Sequence, residues 1–485
     1  MLARGADASA GARERKSFPL RRNRVRASVD RARAGCTIPR VLPTLTRAWV
    51  RSPAARPAAQ NLGWLVAEKM ARLVFSVLIG FVVARYLGPA QFGALSYAMA
   101  LVAIGVAVAE CGVSGLVRRE VASGAERAAA GLAAAWRLRL LAGAGCYAVL
   151  LCWAELGEPD RVERGLLLML GLLLFQPALA VADLWLQARL KARLGTLAQI
   201  LALGAGAALR LWLVAARAPL WGFALAAVAE AAVAAGLLTW FARRAGRPAG
   251  GRVSRAAVAQ LWRESWPLLL SGLMVMIYIR IDVVMVRQLV GESAAGIYAA
   301  AVRISELGFF LPGAVASSLL PALLRARGES RESYHGALQR FMDACVALAY
   351  TITVPLVLLA PWIMRAAYGP AFAGGAAVLS VHGWTQVWVA IGVARGQYCI
   401  NESLTRLHLA ATAAGALLNI ALNFVLIPRA GAVGAAWATL AAQMIAAWMS
   451  SYWFESTREC ARLQTRALLL PLRWIRHALP SRPAA

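Results

Sequence analysis

The amino-acid sequence predicts an all-α, polytopic membrane protein with about twelve transmembrane helices in two six-helix lobes. Of its 485 residues, 60% are hydrophobic and only 15% are charged, and the mean hydropathy is +0.61, whereas soluble domains are about half apolar and a quarter charged. A single soluble core stops growing at about 250 to 300 residues and cannot hide this excess. From residue 61 onward, apolar runs recur at a regular spacing, each close to the roughly 20 residues that cross about 30 Å of hydrocarbon.

Residues 1–60 form a basic N-terminal tail without an apolar run long enough to span a membrane. They contain 14 Lys and Arg residues against three acids, Asp7, Glu14 and Asp30, a composition typical of disorder. Three interpretations stay open: a cytoplasmic tail that contacts anionic lipid, an over-extended translation start, and an Arg-rich transit peptide. The tail lacks the apolar core and cleavage site of a removable secretory signal, and we assign it no function.

Twelve predicted spans follow the tail. Residues 62 to 453 number 392, and 392/12 is about 33 residues for each span and its loop, so the loops are short and no soluble domain is inserted. The spans are predicted at 62–85, 92–116, 138–155, 165–186, 195–215, 219–241, 264–287, 294–320, 341–361, 376–397, 406–427 and 431–453.

The longest loop between spans, residues 243–263, is rich in Gly and Arg and is predicted to be a cytoplasmic linker. It separates an N-terminal lobe, 61–242, from a C-terminal lobe, 264–455. Residues 456–485 form a basic amphipathic tail that mixes Arg with Leu and Trp, and we expect it to lie on the inner leaflet.

The two lobes share a weak sequence repeat. Gly88 and Gly93 follow span 1 with a spacing of five residues, and Gly291 and Gly296 follow span 7 with the same spacing. Such echoes are typical of transporters built from parallel repeats. Because Gly is frequent in any membrane helix, the repeat favours a two-lobed transporter without proving one.

The distribution of Lys and Arg predicts which span ends face the cytoplasm. One set of loops and helix ends contains 20 basic residues and the opposite set contains seven. Since basic residues collect in cytoplasmic loops, the first set and both termini are predicted to be cytoplasmic, in agreement with the even number of spans. The first set is Arg118, Arg119, Arg127, Arg137, Arg139, Arg189, Lys191, Arg193, Arg243, Arg244, Arg247, Arg252, Arg255, Arg263, Arg325, Arg327, Arg331, Arg340, Arg395 and Arg406; the second is Arg85, Arg161, Arg164, Arg217, Arg287, Arg365 and Arg429.

The cysteines and histidines predict neither a metal site nor a cofactor. The seven cysteines lie mostly in apolar segments without CxxC or CxxH spacing, and the four histidines are scattered. His382, in span 10, is expected to be a hydrogen-bonded packing residue.

Ionisable residues inside the bilayer are the candidates for a functional site, because a charge at the centre of a membrane helix costs roughly 2.5 to 3.5 kcal/mol. Glu68 and Arg72 are four residues apart in span 1, and Arg303 and Glu306 are three apart in span 8, so each pair can neutralise itself on one helix face. A helix-local ion pair without further function is an equally good interpretation of both pairs.

Arg280 and Asp282 in span 7 are more informative. Two residues apart, they project about 200° from one another, so at least one must find a partner on another helix or face a wet cavity. Arg210 in span 5 lies about as far below the outer end of its span as Arg280 does, and Glu230 in span 6 is its expected partner. Arginines without enough carboxylates suit an anionic ligand, because guanidinium binds diphosphate or carboxylate in a forked geometry. Asp282 suits a proton or a cation, and interhelical pairing that locks the bundle is the alternative for both residues.

Four segments of the chain carry a family resemblance. They are ARYLGPAQFGALSYA (84–98), RIDVVMVRQLVGESAAGIYAAAVRISE (280–306), YGPAFAGGAAVL (368–379) and LNIALNFVLIPRAGAVGAAWATL (418–440). In this order and spacing they resemble the Wzx-type oligosaccharide flippases, which are polysaccharide biosynthesis exporters of the multidrug/oligosaccharidyl-lipid/polysaccharide superfamily. The resemblance extends from residue 61 to about residue 455.

The resemblance implies a MATE-like architecture and a flippase that moves an undecaprenyl-diphosphate-linked oligosaccharide across the bacterial inner membrane, for O-antigen or exopolysaccharide biosynthesis. The lobes would enclose a cationic lumen and alternate access, with ion coupling; glycan polymerase and chain-length proteins are candidate partners. The family places recurrent charges at Arg85, Arg280, Asp282, Arg303 and Glu306. Our hypothesis assigns substrate binding to Arg85, Arg210, Arg280 and Arg303, and ion coupling or lumen ion pairs to Asp282, Glu306, Glu230, Glu68 and Arg72.

Two other classes of function remain. A multidrug or cation antiporter of the same superfamily would be expected to have an acidic cavity, and the Arg excess argues against it. A membrane glycan polymerase or ligase needs a large outer loop or a cluster of catalytic acids, and the longest predicted outer loops, 156–164 and 362–375, are short. The formal net charge of +29 does not indicate nucleic acid, because the tail holds 14 minus 3, or +11, and inner loops hold most of the remainder.

Overall fold

A computed structural model describes residues 55–122, 125–157, 160–247 and 255–473. The chain divides into two units, Met1–Ala59 and Gln60–Ala485. Of the first unit only residues 55–59 are described, where they begin a helix. Residues 1–54 of the predicted basic tail, the centre of the predicted linker and the last twelve residues of the chain therefore lie outside the described residues.

The described residues are almost entirely helical, with turns between the helices, and contain no strand, so the predicted all-α class is confirmed. Four short 3₁₀ turns connect some of the helices. The α-helices are α1 Ala55–Ala109, α2 Ser114–Ala122, α3 Ala125–Gly157, α4 Arg161–Gly171, α5 Gln176–Leu179, α6 Val181–Ala188, α7 Ala192–Ala215, α8 Leu220–Arg244, α9 Arg255–Leu289, α10 Glu292–Ser305, α11 Phe310–Glu329, α12 Arg331–Leu358, α13 Ala360–Tyr368, α14 Gly375–His382, α15 Thr385–Asn401, α16 Thr405–Ala447 and α17 Glu455–Leu468.

Within the described residues, ten helical stretches are long and apolar enough to cross a membrane. Eight of them coincide in order with predicted spans 3 to 10. The first and last, Phe75–Ala109 and Thr405–Tyr452, each cover two predicted spans. The protein is thus a multi-pass membrane protein, and the count of twelve crossings stays a prediction.

Glycines break α1 and α16 where the sequence predicts a loop between spans. Gly88 has φ 70° and ψ 175°, and Gly431 has φ 58° and ψ −139°, so neither residue is helical. These backbone angles favour glycine because it has no Cβ. Pro89 follows the first break and removes a further helical hydrogen-bond donor. Each long helix is therefore two helical segments joined at a sharp turn.

One hydrophobic core joins both lobes at the end of the molecule that contains Gly88, the α9–α10 turn and Gly431; we call this the closed end. Its members come from both lobes, with Phe92 and Leu167 from one and Val284 and Tyr368 from the other. The Phe81 ring packs edge-on against Tyr368, with ring centroids 4.9 Å apart.

At the opposite, open end the described residues form two separate cores. One contains Leu132, Trp185 and Leu238 of the N-terminal lobe, and the other contains Phe341 and Ile391 of the C-terminal lobe. The lobes thus converge at the closed end and pack independently at the open end.

The first half of α9 packs on the N-terminal lobe, although the predicted linker places most of it with the C-terminal lobe. Leu261 is buried in the N-terminal core. Gly112 approaches the α9 backbone so closely that a Cβ would lie 2.6 Å from the Leu269 nitrogen. Helix α9 therefore connects the two lobes physically.

Helix α17 is amphipathic as predicted, but the C-terminal lobe covers its apolar face. Cys460, Ala461 and Ala467 are fully buried, and the Gln464 amide donates a hydrogen bond to the Ala447 carbonyl at 2.8 Å. This buried face is not available to the inner leaflet, contrary to our expectation for this part of the tail.

Candidate functional site

A cavity of about 550 Å³ lies between the lobes. Helices α1, α7 and α8 form one wall, and α9, α10 and the following turn form the other. The side chain of Arg72, on the part of α1 far from the closed end, is 47% exposed, whereas Val83, nearer that end, is 5% exposed. The cavity therefore opens away from the closed end.

Six charged side chains of the cavity come from residues that the sequence singled out. Four arginines against two glutamates leave a formal charge of 4 minus 2, or +2. Apolar groups such as Phe75, Met99 and Leu203 make up most of the remaining wall. Of the predicted site residues, the cavity brings together Arg72, Arg210, Arg280, Arg303, Glu230 and Glu306.

Arg210 and Glu230 form an ion pair inside the N-terminal lobe, as expected from the tight α7–α8 hairpin. Arg210 Nη1 lies 2.5 Å from Glu230 Oε2, and both side chains are about one-fifth exposed. Gly206 provides the space for this carboxylate, because a Cβ at that position would lie 2.4 Å from Glu230 Oε2.

Glu306 pairs with Arg280 of α9, with 3.6 Å between Nη1 and Oε2. The spacing of Arg303 and Glu306 also allows an i,i+3 pair, but no ion pair of the described residues joins them. Helix α10 ends at Ser305, and Glu306 begins a 3₁₀ turn, Glu306–Gly308, so the carboxylate leaves the helical face that carries Arg303. This second ion pair also lies within one lobe.

Arg303 is the cavity arginine without an ion pair among the residues that the structure describes. Its guanidinium crosses to the opposite lobe and lies against α1 at Gly80, where a Cβ would be 2.7 Å from Arg303 Nη1. A guanidinium without a bound carboxylate keeps its donors free for an anionic ligand.

Arg72 lies at the open rim of the cavity and makes the predicted pair with Glu68. Its Nη2 is 3.0 Å from Glu68 Oε1 and 3.1 Å from Gln199 Oε1. Glu68 does not line the cavity. With nearly half of its side chain exposed, Arg72 is in a position to meet a ligand first.

Asp282 lies outside the cavity and is buried, with 3% of its surface exposed. Its carboxylate accepts hydrogen bonds from the Tyr298 hydroxyl at 2.8 Å, the Asn423 amide at 2.6 Å and the Thr439 hydroxyl. These partners belong to α10 and α16, so Asp282 has its partners on other helices, one of the two outcomes expected for at least one residue of the Arg280 and Asp282 pair. All three are neutral, and no ion pair of the described residues includes Asp282.

Arg85, which our hypothesis assigns to substrate binding, does not line this cavity. Its side chain is exposed and donates a hydrogen bond to the Ala366 carbonyl in α13. This bond crosses between the lobes at the closed end. Arg85 comes two residues after Val83, which lines the cavity, so its side chain projects about 200° away from that of Val83 on the same helix.

Sequence reasoning missed the polar partners of Asp282. Asn419 and Asn423 are four residues apart in an apolar span, both are fully buried, and Asn423 Oδ1 has no hydrogen-bond partner among the described residues. Two buried amides on one face of a membrane helix are a signal that could have identified them. The expected role of His382 is confirmed, since its Nδ1 lies 2.8 Å from Ser305 Oγ.

Comparison with known proteins identifies the family of the chain. Residues 58–327 match the polysaccharide biosynthesis protein family, and the chain belongs to that family. A search of curated proteins found no match.

Solved structures share the fold at low sequence identity. An inward-facing multidrug resistance MATE family transporter of the MOP superfamily is 17% identical, with a TM-score of 0.68 over 84% of this chain and 99% of that one. The lipid II flippase MurJ in an inward closed conformation is 14% identical, with a TM-score of 0.65 over 87% and 94%. An outward-facing MATE transporter is 17% identical, with a TM-score of 0.59 over 86% and 98%. The chain therefore has the fold of MOP-superfamily transporters.

Proposed function

We propose that the protein is a flippase that moves a lipid-diphosphate-linked oligosaccharide across the bacterial inner membrane by alternating access. The observation that carries the proposal is the cavity between the lobes, where four arginines face two glutamates. A diphosphate brings negative charge into the bilayer, and fixed guanidinium groups compensate it at any relevant pH.

The placement of the arginines supports a diphosphate over a cationic drug. Arg303 has free donors deep in the cavity, and Arg72 stands at its open rim. A volume of about 550 Å³ is within the range of about 300 to 1,000 Å³ of small-molecule pockets. It suits a diphosphate and its first sugars, with the lipid tail left in the bilayer.

The cavity opens to one side of the membrane. By the predicted orientation, the closed end faces the periplasm, and both termini and the open end face the cytoplasm. The structure then corresponds to the state that loads substrate on the side where lipid-linked sugars are assembled. Release requires the lobes to separate at the closed end.

Asp282 is the proposed site of ion coupling. A buried carboxylate surrounded by neutral groups is costly unless a proton or cation neutralises it. The Asn423 amide nitrogen donates a hydrogen bond to Asp282, and Asn423 Oδ1 has no partner among the described residues. Hydrogen-bond geometry alone decides which end of the amide group is nitrogen and which is oxygen. With the amide group turned, Oδ1 would become a ligand for a cation at Asp282. A proton or a monovalent cation is therefore the coupling ion that this site supports.

The test is lipid translocation by purified protein in vesicles that contain a fluorescent undecaprenyl-diphosphate-linked trisaccharide. An impermeant quencher reports the fraction of label in the outer leaflet. We expect faster loss of protected fluorescence than in empty vesicles. Arg429→Ala is the active control, because Arg429 is exposed, lies outside the cavity and bonds the Val425 carbonyl of its own helix. Movement of a cationic dye in place of this lipid would establish the antiporter instead, and formation of longer glycan chains would establish an enzyme.

A further inference from the structure

The repeated glycines of the two lobes meet each other at the closed end. A Cβ built on Gly93 would lie 1.9 Å from the carbonyl oxygen of Glu292, and a Cβ built on Gly296 would lie 1.9 Å from that of Pro89. The backbones of α1 and α10 are thus in direct contact, as small residues allow between membrane helices.

The contact is reciprocal in sequence as well as in space. Gly88 and Gly291 are 203 residues apart, and so are Gly93 and Gly296, and Pro89 and Glu292. The glycine of each lobe therefore contacts a carbonyl of the other lobe at the equivalent position of the repeat. Reciprocal contacts of this kind are the property of a two-fold axis, here between two halves of one chain.

An ion pair beside these glycines also joins the lobes. Arg287 of α9 contacts Glu163 of α4, whose side chain is only 4% exposed, and the Arg287 guanidinium lies 4.8 Å from the ring centroid of Tyr97. The cavity pairs Arg210–Glu230 and Arg280–Glu306 each stay within one lobe. Separation of the lobes therefore breaks the pair at the closed end and leaves the cavity pairs intact.

We propose that Gly93 and Gly296 form the two-fold seal of the closed end and that Arg287–Glu163 is its latch. The seal needs hydrogen in place of a side chain at both positions. Any Cβ must move from 1.9 Å to beyond about 3.0 Å from the facing carbonyl, which requires the helices to part by more than about 1 Å. Alanine at either glycine then disfavours the closed arrangement and leaves the separated one unaffected. This inference rests on the alternating access of the proposed function.

The test measures the distance between the lobes at the closed end. Spin labels are placed at Val162 and Trp362, which are 60% and 68% exposed and belong to different lobes, and distances are measured by pulsed EPR in nanodiscs. We expect Gly93→Ala and Gly296→Ala to raise the ratio of separated to closed molecules about tenfold or more, and to similar extents because the contact is reciprocal. Glu163→Gln is expected to raise it about three- to tenfold.

Gly145→Ala is the matched control, since a Cβ at Gly145 meets nothing within 4 Å. It should leave the distance distribution unchanged. Wild-type distributions for folded Gly93→Ala and Gly296→Ala would overturn the proposal. If the alanine variants do not fold, Glu163→Gln decides, and an unchanged distribution there overturns it.

The lipid-translocation assay separates this inference from the proposed function. If the variants shift the distance between the lobes but the wild type moves no diphosphate lipid, the seal is established and the proposed substrate is wrong. Translocation by the wild type together with unshifted variants would overturn the seal alone.

Discussion

Replacement of Arg303 by alanine tests the anion site most directly. Because Arg303 makes no ion pair among the described residues, its removal leaves no orphaned carboxylate and lowers the formal cavity charge from +2 to +1. A hydrogen bond to a charged group is worth about 1.5 to 3 kcal/mol. At 1.4 kcal/mol for each factor of ten, the affinity for a diphosphate should fall about 10- to 150-fold.

The assay is calorimetric titration of farnesyl diphosphate into protein in nanodiscs. Arg303→Lys keeps the charge but loses the forked donors, so we expect a smaller loss, about three- to tenfold. Arg429→Ala also removes one arginine, outside the cavity and without a contact between the lobes, and should bind as the wild type does. Equal affinity of the wild type and Arg303→Ala would refute the assignment, as would an equal loss in Arg429→Ala.

Four further outcomes follow from the structure. The affinity of Asp282→Asn for farnesyl diphosphate should be within about twofold of that of the wild type, because Asp282 is outside the cavity. The same variant should lose the stimulation of translocation by a proton or sodium gradient, and retained stimulation would contradict ion coupling at Asp282. Glu230→Gln frees Arg210 from its ion pair and raises the formal charge of the cavity to +3. The affinity for diphosphate at low ionic strength should therefore rise about three- to tenfold, with a smaller gain in 0.5 M salt because salt screens charge. An unchanged affinity would show that Arg210 is remote from the ligand. Burial raises the pKa of the Cys111 thiol to about 11, which leaves about one thiol in a thousand ionised at pH 8. Maleimide should therefore leave Cys111 unlabelled in the native protein and label it after denaturation. Labelling of Cys111 in the native protein at pH 7 would contradict this burial. A protease site after Ala485 should resist protease added to spheroplasts, in which the outer face of the inner membrane is accessible, and cleavage there would reverse the predicted orientation.

The sequence was sufficient for the fold because membrane spans are defined by composition over some 20 residues, a signal that no single side chain can obscure. It also predicted the Arg210–Glu230 pair, since a short turn brings two antiparallel helices together and leaves few choices of partner. Helical geometry also predicted that Arg280 and Asp282 face different surroundings, because residues two apart project to nearly opposite sides of a helix.

Other features depend on where a helix breaks or ends, which apolar periodicity does not show. Arg85 lies at the end of the helical segment that the break at Gly88 terminates, and there it contacts the Ala366 carbonyl of α13 instead of the cavity. Arg303 and Glu306 have the spacing of a helix-local pair, but α10 ends between them. The contact of Gly93 with α10 depends on the packing of the two lobes, and the sequence shows only that the two glycine pairs have equal spacing.

Helix α9 carries Arg280 on the cavity side and Asp282 two residues later in a closed polar cluster. A ligand at the first residue and an ion at the second occupy different compartments, so neither can displace the other by competition for space. Any influence between them is a linkage through the position of α9. Linkage is reciprocal: the factor by which the ion changes the affinity for the substrate equals the factor by which the substrate changes the affinity for the ion.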